Sequence, residues 1–418
     1  MSAPSSAPAD RDPVAALAAP PLRRAQVLLF ACASGTSVAN VYYAQPLLDA
    51  LAAEFSIDPG AVGGLIGATQ AGCALALLLV VPLGDRYARR PLMLWQGAAL
   101  LLALLAVAAA PSLPVLVAGM LALGLLGTAM TQGLIAYAAA SAAPAERGRV
   151  VGAAQAGVVI GLLLARVLAG AIADLGGWRA VYAVSAAAML VLLLALRLAL
   201  PALPPPHSPP GYLALLRSLL RMLAHERVLQ LRGGIALLLF ASFSIFWTAL
   251  VLPLSAKPYT YSHATIGAFG LVGAIGALAA ARAGRWADRG CAQRGSGAML
   301  VLLLASWLPL AMGMQSLTAL IAGIVALDMA GQAIHVLNQS LIFRGDAQAH
   351  SRRVAGYMLF YALGSGLGAI GSTTAYARFG WAGVCTLGAA TSAAALLFWA
   401  ATRRWMPAEP GGERGATR

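Results

Sequence analysis

Apolar runs of about 20 residues, the length a helix needs to cross the hydrocarbon of a bilayer, recur from residue 26 to residue 402. Short polar, arginine-bearing or proline-bearing stretches separate them. Runs of this kind satisfy their backbone in lipid only as helices, and the short alternating segments of a β-barrel are absent from the sequence. The pattern predicts twelve spans, at 26–48, 61–82, 92–110, 114–140, 149–173, 179–200, 233–254, 264–283, 296–313, 316–342, 354–376 and 381–402. An even count puts both termini on one side. Residues 1–25 are rich in Ala, Pro and Ser and lack the basic, apolar, small-residue order of a signal peptide, which predicts a disordered tail. The stretch "PALPPPHSPP" at 201–210 cannot stay helical, because proline lacks the N–H donor and clashes with the preceding turn. It predicts a linker over 201–232 in which "GYLALLRSLLRMLAHER", with leucines at helical spacing and Arg217 and Arg221 four apart, forms a helix lying in the membrane interface. The expected organisation is a helical bundle over 26–200, this linker, a second bundle over 233–402, and a tail over 403–418.

Composition agrees with the pattern. The chain is 60% hydrophobic and 10% charged, and its mean hydropathy is +0.80, far above an average soluble domain. The arginines then orient it. Of 28 Lys and Arg, all but four fall in the tails and in the loops at 83–91, 141–149, 197–232, 282–295 and 343–353. The exceptions are Arg179, Lys257 and Arg378 on the opposite face and Arg166 within a span. By the positive-inside rule the arginine-rich face, with both termini, is expected in the cytoplasm. Lipid orientation accounts for the net charge of +14 better than nucleic acid, because the cations are scattered over short loops. Four isolated cysteines, Cys32, Cys73, Cys291 and Cys385, show no metal-type spacing and read as packing residues; no metal or cofactor is expected.

The chain is written twice. Asp85 and Arg86 of "GDRYARRP" stand 203 residues before Asp288 and Arg289 of "ADRGCAQR". The same 203 separates Trp178 from Trp381, Arg149 from Arg352 and Gln132 from His335. Unrelated helices have no reason to keep a common spacing, so two six-span halves are expected.

Two such halves, an Asp-Arg loop after the second span of each and a long central loop resemble the major facilitator superfamily of secondary transporters. "PLGDRYARRPLML" is similar to that superfamily's loop signature through Asp85, Arg86, Arg89 and Arg90, with Val81 and Ala88 at two of its glycine positions. "NVYYAQPLL", "GLLLARVLAG" and "DMAGQAIHVLNQ" resemble its bacterial efflux permeases, although span five lacks the Gly-Pro pair typical of proton-coupled drug antiporters. The resemblance implies an all-α protein of two pseudo-symmetric six-helix bundles in a bacterial inner membrane. It also implies a monomer that exports a small organic molecule in exchange for protons, with uptake as the alternative. A membrane enzyme is disfavoured by the lack of HExxH, paired catalytic acids in a span or GxSxG, a primary pump by the lack of GxxxxGK[ST], and a sensor by the lack of a loop long enough for a signalling domain.

The resemblance further implies that the first, fourth, seventh and tenth spans line the substrate cavity. Their polar residues are the candidates: Asn40, Tyr42, Tyr43 and Gln45; Thr128, Thr131 and Gln132; Trp247 and Thr248; and Gln332 and Asn338. Tyr42, Tyr43 and Trp247 form a stacking wall or simply pack. Asp85 is expected to lock against the N-terminus of span eleven near Arg352, and Asp288 against span five near Arg149, with Arg86, Arg89, Arg90 and Arg289 as gating or orienting charges. Asp328 is the only acid deep in a span, where a charge costs roughly 2.5–3.5 kcal/mol and so marks a functional site. Asp328, Gln332 and His335, spaced by four and then three, share one helical face expected to look into the cavity. Asp328 is the candidate proton carrier; His335 assists it, binds substrate, or is only a satisfied helix contact. Arg166, at similar depth, either pairs with Asp328 or meets an anionic substrate, and Gly157, Gly161 and Gly170 are expected to pack the halves together.

Overall fold

The computed structural model describes residues 22–143, 145–200, 203, 211–342 and 350–406. The predicted tails before residue 22 and after residue 406, nearly all of the proline linker and the loop at 343–349 lie outside the described residues. Everything described is helix or short connection, and eight helices among the described residues are long and apolar enough to cross a membrane.

The first half runs α1 (Arg24–Ala39), α2 (Leu48–Phe55), α3 (Gly63–Leu75, continuing through irregular turns to Asp85), α4 (Arg89–Ala108), α5 (Leu113–Ser141) and α6 (Arg147–Ala199). After α7 (Tyr212–His225) the second half runs α8 (Arg227–Ala249), α9 (Val251–Ser255), α10 (His263–Asp288), α11 (Ala292–Ala305), α12 (Trp307–Ala311), α13 (Leu317–Ile342) and α14 (His350–Thr402). The stretch at 211–227, expected to be helical, forms α7, with Leu219 buried and Arg217 and Arg221 exposed.

The 203-residue repeat is built into the backbone. α6 and α14 each have 53 residues and each breaks at one glycine, Gly177 (φ 75°) and Gly380 (φ 61°), themselves 203 apart. Positive φ of this size is strained for any side chain with a Cβ, so glycine is what permits the reversal. Both elements are hairpins. The two ends of α6 meet one short segment, where Leu22 N–H donates to Glu146 Oε2 (3.3 Å) and Gln26 Nε2 donates to Ala199 O (2.8 Å). The ends of α14 likewise meet the start of α8, through Arg353 on Glu226 (2.9 Å) and Arg227 over the Trp405 ring (5.0 Å). The breaks in spans one and seven also repeat: α1 unwinds over residues 40–47 and α8 gives way to α9 at Leu250.

Within each half the helices touch backbone to backbone where small residues allow it, the usual device where lipid supplies no hydrophobic drive between helices. A Cβ on Gly157 or Gly161 would stand 2.1 or 2.2 Å from the carbonyls of Ala31 and Gly35 on α1, and one on Gly364, 203 residues after Gly161, would stand 2.1 Å from Leu237 O on α8. Gly157 and Gly161 therefore pack inside the first half, contrary to expectation, because their face turns to α1. Only Gly170 of the three meets the other half, at His263 O. Arg232, counted above with the linker arginines, is wholly buried in α8. It donates to Ser296 Oγ (3.2 Å), Asn338 Oδ1 (3.3 Å) and Gln293 Oε1, and so ties α8 to α11 and α13.

The halves meet along two seams, α6 on α10 and α3 on α14, and both are closed at the arginine-poor end. Asp174 at the foot of α6 accepts from the N–H groups of His263 and Ala264 (3.0 and 2.9 Å), capping α10 where the helix dipole favours an anion. His263 Nε2 lies 3.0 Å from Asp49. In the other seam Gly63 N–H donates to Thr373 Oγ1 (3.2 Å), and Thr373 and Thr374 donate to Gly60 O. Nearby, the hydrogen bonds of Arg179 and Trp178 hold the Glu54 carboxyl below the usual carboxylate range. At the arginine-rich end a Cβ on Gly84, Gly148, Gly152 or Gly284 would meet nothing within 4 Å. Along α6 the face that carries buried Arg166 also carries Val159 at 47% exposed and, a turn further, exposed Gln155. A cleft therefore opens between the halves on the arginine-rich side.

Candidate functional site

At the closed end of that cleft lies a cavity of about 50 Å³ lined by Arg166, Phe243, Trp247, Gly270, Gly273, Asp328 and Gln332, among others. Its main polar groups are buried: Asp328 is 4% exposed, Trp247 5% and Arg166 7%. The break in span one supplies Gln45, whose Oε1 accepts from Arg166 Nε at 2.9 Å. The guanidinium lies over the Trp247 ring (4.4 Å to the centroid) and near that of Tyr42 (5.6 Å). Such stacking holds its plane and leaves its edge free to donate. Arg166 also borders a smaller pocket of about 10 Å³ with Gln45, Pro46 and Trp247, toward the closed seam. Across the larger cavity Asp328 Oδ2 and Trp247 Nε1 have no hydrogen-bond partner.

Asp328 and Arg166 thus face one space, as their matched depth implied, but they form no ion pair. The glycines of α10 account for the separation. A Cβ on Gly267 would stand 2.3 Å from Arg166 O, and one on Gly273 would stand 2.7 Å from Asp328 Oδ2, so α10 lies flat against both helices and floors the cavity that the two charges share.

Other candidates turn elsewhere. His335 Nδ1 is 2.9 Å from the Tyr357 hydroxyl, its Nε2 is 3.2 Å from Gln339 Nε2, and its ring meets Phe240 edge-on at 5.4 Å. One neutral tautomer, donating from Nδ1 and accepting at Nε2, satisfies both bonds. His335 lies about 10 Å beyond Asp328 along α13 and does not line the Asp328 cavity. Asn40 accepts from Ser185 Oγ (2.6 Å), and Tyr43 packs edge-on against Tyr182, both inside the first half. Asn338 serves Arg232. Thr131 bonds back to Gly127 O, Thr248 pairs with Ser244, and Thr128 and Gln132 are half-buried on α5 away from the cavity lining. Tyr42 bridges the halves through a hydroxyl contact with Tyr361. Sequence reasoning missed Tyr361, whose one signal is a hydroxyl in an apolar run, and missed Phe243, Gly270 and Gly273, which carry no polar signal.

Among the described residues the predicted gating charges make no bond across the halves. Asp85 sits 3.8 Å from Arg89, which donates to Ala136 O, while Arg90 donates to Arg197 O and Arg149 pairs with Glu146. Arg86 lies over the Tyr87 ring, and Arg352 donates to Ser218 on α7. Asp288 and Arg289 end α10 on the same open side. Disengaged charges are what an open arginine-rich mouth requires. Among the described residues no group of His, Cys, Asp and Glu could hold a metal ion.

The sequence pattern of the Major Facilitator Superfamily matches residues 28–350. The chain is 40% identical to the uncharacterized transporter YgaY of Escherichia coli O157:H7 over 378 residues, 90% of this chain and 95% of that one. It is 31% identical to "Probable transporter SCO4007" of Streptomyces coelicolor over 381 residues, 90% and 86% of the two chains. Among solved structures it is similar to a bacterial homolog of the human lysosomal transporter Spinster in an inward-facing, occupied conformation (TM-score 0.74, 14% identity, 92% and 98% of the chains). It is also similar to the human organic anion transporter MFSD10 (TM-score 0.64, 19% identity, 89% and 97%). With a closed seam at one end, an open cleft at the other and the superfamily's pattern over most of its length, the chain belongs to the Major Facilitator Superfamily of membrane transporters.

Proposed function

We propose that this chain is a monomeric secondary active transporter of a bacterial inner membrane, exporting a small organic molecule in exchange for protons by rocking of two six-helix bundles, 26–200 and 233–402. In this reading it crosses the membrane twelve times: the hairpins α6 and α14 each count twice, and α1 and α10 add to the eight long apolar helices. Both termini and the arginine-rich face are cytoplasmic, so the conformer described above is open inward. α7 lies in the lipid headgroup region.

The observation that carries the reading is Asp328, a carboxylate buried at the blind end of the cleft with Oδ2 unpartnered and Arg166 facing it across the cavity. A lone buried carboxylate favours its neutral form; water or a nearby cation favours the ion, so alternation between dry and wet states loads and releases a proton. Arg166 supplies the nearby positive charge, and Asp85 with its partner charges governs closure of the inner mouth. His335 is a packing and hydrogen-bonding residue in this reading.

The test is flux in proteoliposomes bearing an imposed pH gradient and a pH-sensitive dye inside, with candidate compounds added in turn. A compound moved uphill by the wild type is expected to move only downhill in Asp328→Asn, while exchange at equal pH persists at raised concentration. Uphill movement with unchanged pH dependence in Asp328→Asn would remove Asp328 as the carrier.

A further inference from the structure

We propose that the cavity between Arg166 and Asp328 receives the zwitterionic head of an α-amino acid, its carboxylate on Arg166 and its ammonium on Asp328. The proposal rests on the transport reading and names the substrate class of that site.

Three polar side chains, each more than nine-tenths buried, end in this cavity with bonding capacity unused. Of the donors of Arg166 only Nε is hydrogen-bonded, to Gln45, and Trp247 Nε1 and Asp328 Oδ2 have no partner. Buried polar groups in native proteins are bonded, and exceptions call for a ligand, water or strain. Here Arg166 is a cationic donor suited to a carboxylate, Asp328 an acceptor suited to an ammonium, and Trp247 Nε1 a neutral donor in the same cavity.

The two charges border one cavity without forming an ion pair, and both rest on α10. A Cβ on Gly270 would touch the Arg166 stem at 3.5 Å, and one on Gly273 would meet Asp328 Oδ2 at 2.7 Å. These positions are one helical turn apart, about 4.5 Å along α10. The site is therefore neutral overall but polarised along its length. An anion would leave Asp328 unpaired and repelled, and a cation would do the same to Arg166. A molecule carrying both charges completes both partners and brings no net charge into the membrane interior.

Size and lining narrow the class. At about 50 Å³ the cavity holds about four water-sized bodies, the scale of an ammonium, an α-carbon and a carboxylate. Apart from the charged pair and the Gln332 amide, its lining is Val159, Leu162, Leu163, Phe243 and Trp247, so the side chain that follows the head is apolar or aromatic.

The full chain, purified in detergent, is to be melted in the presence of each standard L-amino acid, and each stabilising compound titrated by calorimetry beside its methyl ester and its deamino acid. Apolar or aromatic amino acids are expected to raise the melting temperature, and loss of either charge to weaken binding at least tenfold. Asp328→Asn should cost the amino acid at least tenfold while changing the deamino acid, which has no ammonium, less than threefold. Arg166→Gln should do the converse with the ester. Should either charge variant fail to fold, Gly273→Ala, whose Cβ intrudes on Oδ2, is expected to weaken the amino acid and spare the deamino acid. The proposal is overturned if no amino acid stabilises the wild type, or if the ester or the deamino acid binds as tightly as its parent. Gradient-driven movement of some other compound without amino-acid binding would sink the proposal and leave the transport reading intact. Amino-acid binding without gradient-driven movement would do the reverse.

Discussion

Replacing Gly170 by Ala should tip this transporter away from the conformer open at its arginine-rich end. The added Cβ would stand 2.1 Å from His263 O and 2.5 Å from its carbonyl carbon, both backbone atoms of α10 at the closed outer seam. An ordinary carbon–oxygen contact needs roughly 3.2 Å, so the helices must part by about 1 Å, and close-packed interiors absorb such insertions at a cost of about 1–3 kcal/mol. That cost falls only on conformers in which α6 and α10 meet at this level; a conformer open to the outside escapes it. The equilibrium should therefore shift outward by about 5- to 150-fold. In a background freed of the four native cysteines, single cysteines at Thr374, in the closed seam, and Gln155, in the open cleft, report the change through a thiol-reactive label. Labelling at 374 should rise and labelling at 155 should fall. Gly284→Ala, whose Cβ meets nothing, is the control. Unchanged labelling at both sites in a folded Gly170→Ala protein, or an equal shift in the control, would refute the argument.

Asp85→Asn removes only an exposed contact with Arg89, so stability should change by less than about 1 kcal/mol while transport falls and binding survives; equal loss of binding and transport would make Asp85 structural. The bond to Asp49, with Asp174 also close, raises the pKa of His263, which stands at the outer mouth ahead of the apolar run of α10. Its latch is therefore complete below about pH 6.5 and is lost as pH rises through the raised value. Labelling of a cysteine at 374 should increase on the alkaline side, and His263→Gln should flatten that profile; a flat wild-type profile would remove the latch. A reporter active only in the cytoplasm should signal from residue 210 and stay silent at residue 58, and the reverse would invert the topology.

Hydropathy and spacing survive without the fold, because each residue carries its own cost of entering hydrocarbon and a repeat is a distance along the chain. They establish that the chain is a helical membrane protein, that it is doubled at 203 residues, and that it resembles one transporter superfamily. They also marked Asp328 and Arg166, since a charge inside a span is conspicuous wherever it points. Tertiary structure alone decided facing. In a soluble helix a polar side marks the solvent and an apolar side the core, but a span is apolar toward lipid and toward its neighbours alike, so its rotation about its axis leaves little trace in the sequence. Asn40, Tyr43, His335 and Asn338 thus read as cavity residues until their partners Ser185, Tyr182, Tyr357 and Arg232 were seen. Gly157 and Gly161 could not be told from Gly170, nor Arg232 from a linker arginine. The shared cavity of Arg166 and Asp328 was equally invisible, because its floor is α10, which comes close to both only through Gly270 and Gly273. Which mouth stands open was decided by contacts between residues up to 314 positions apart, a range over which hydrophobic patterning carries no information.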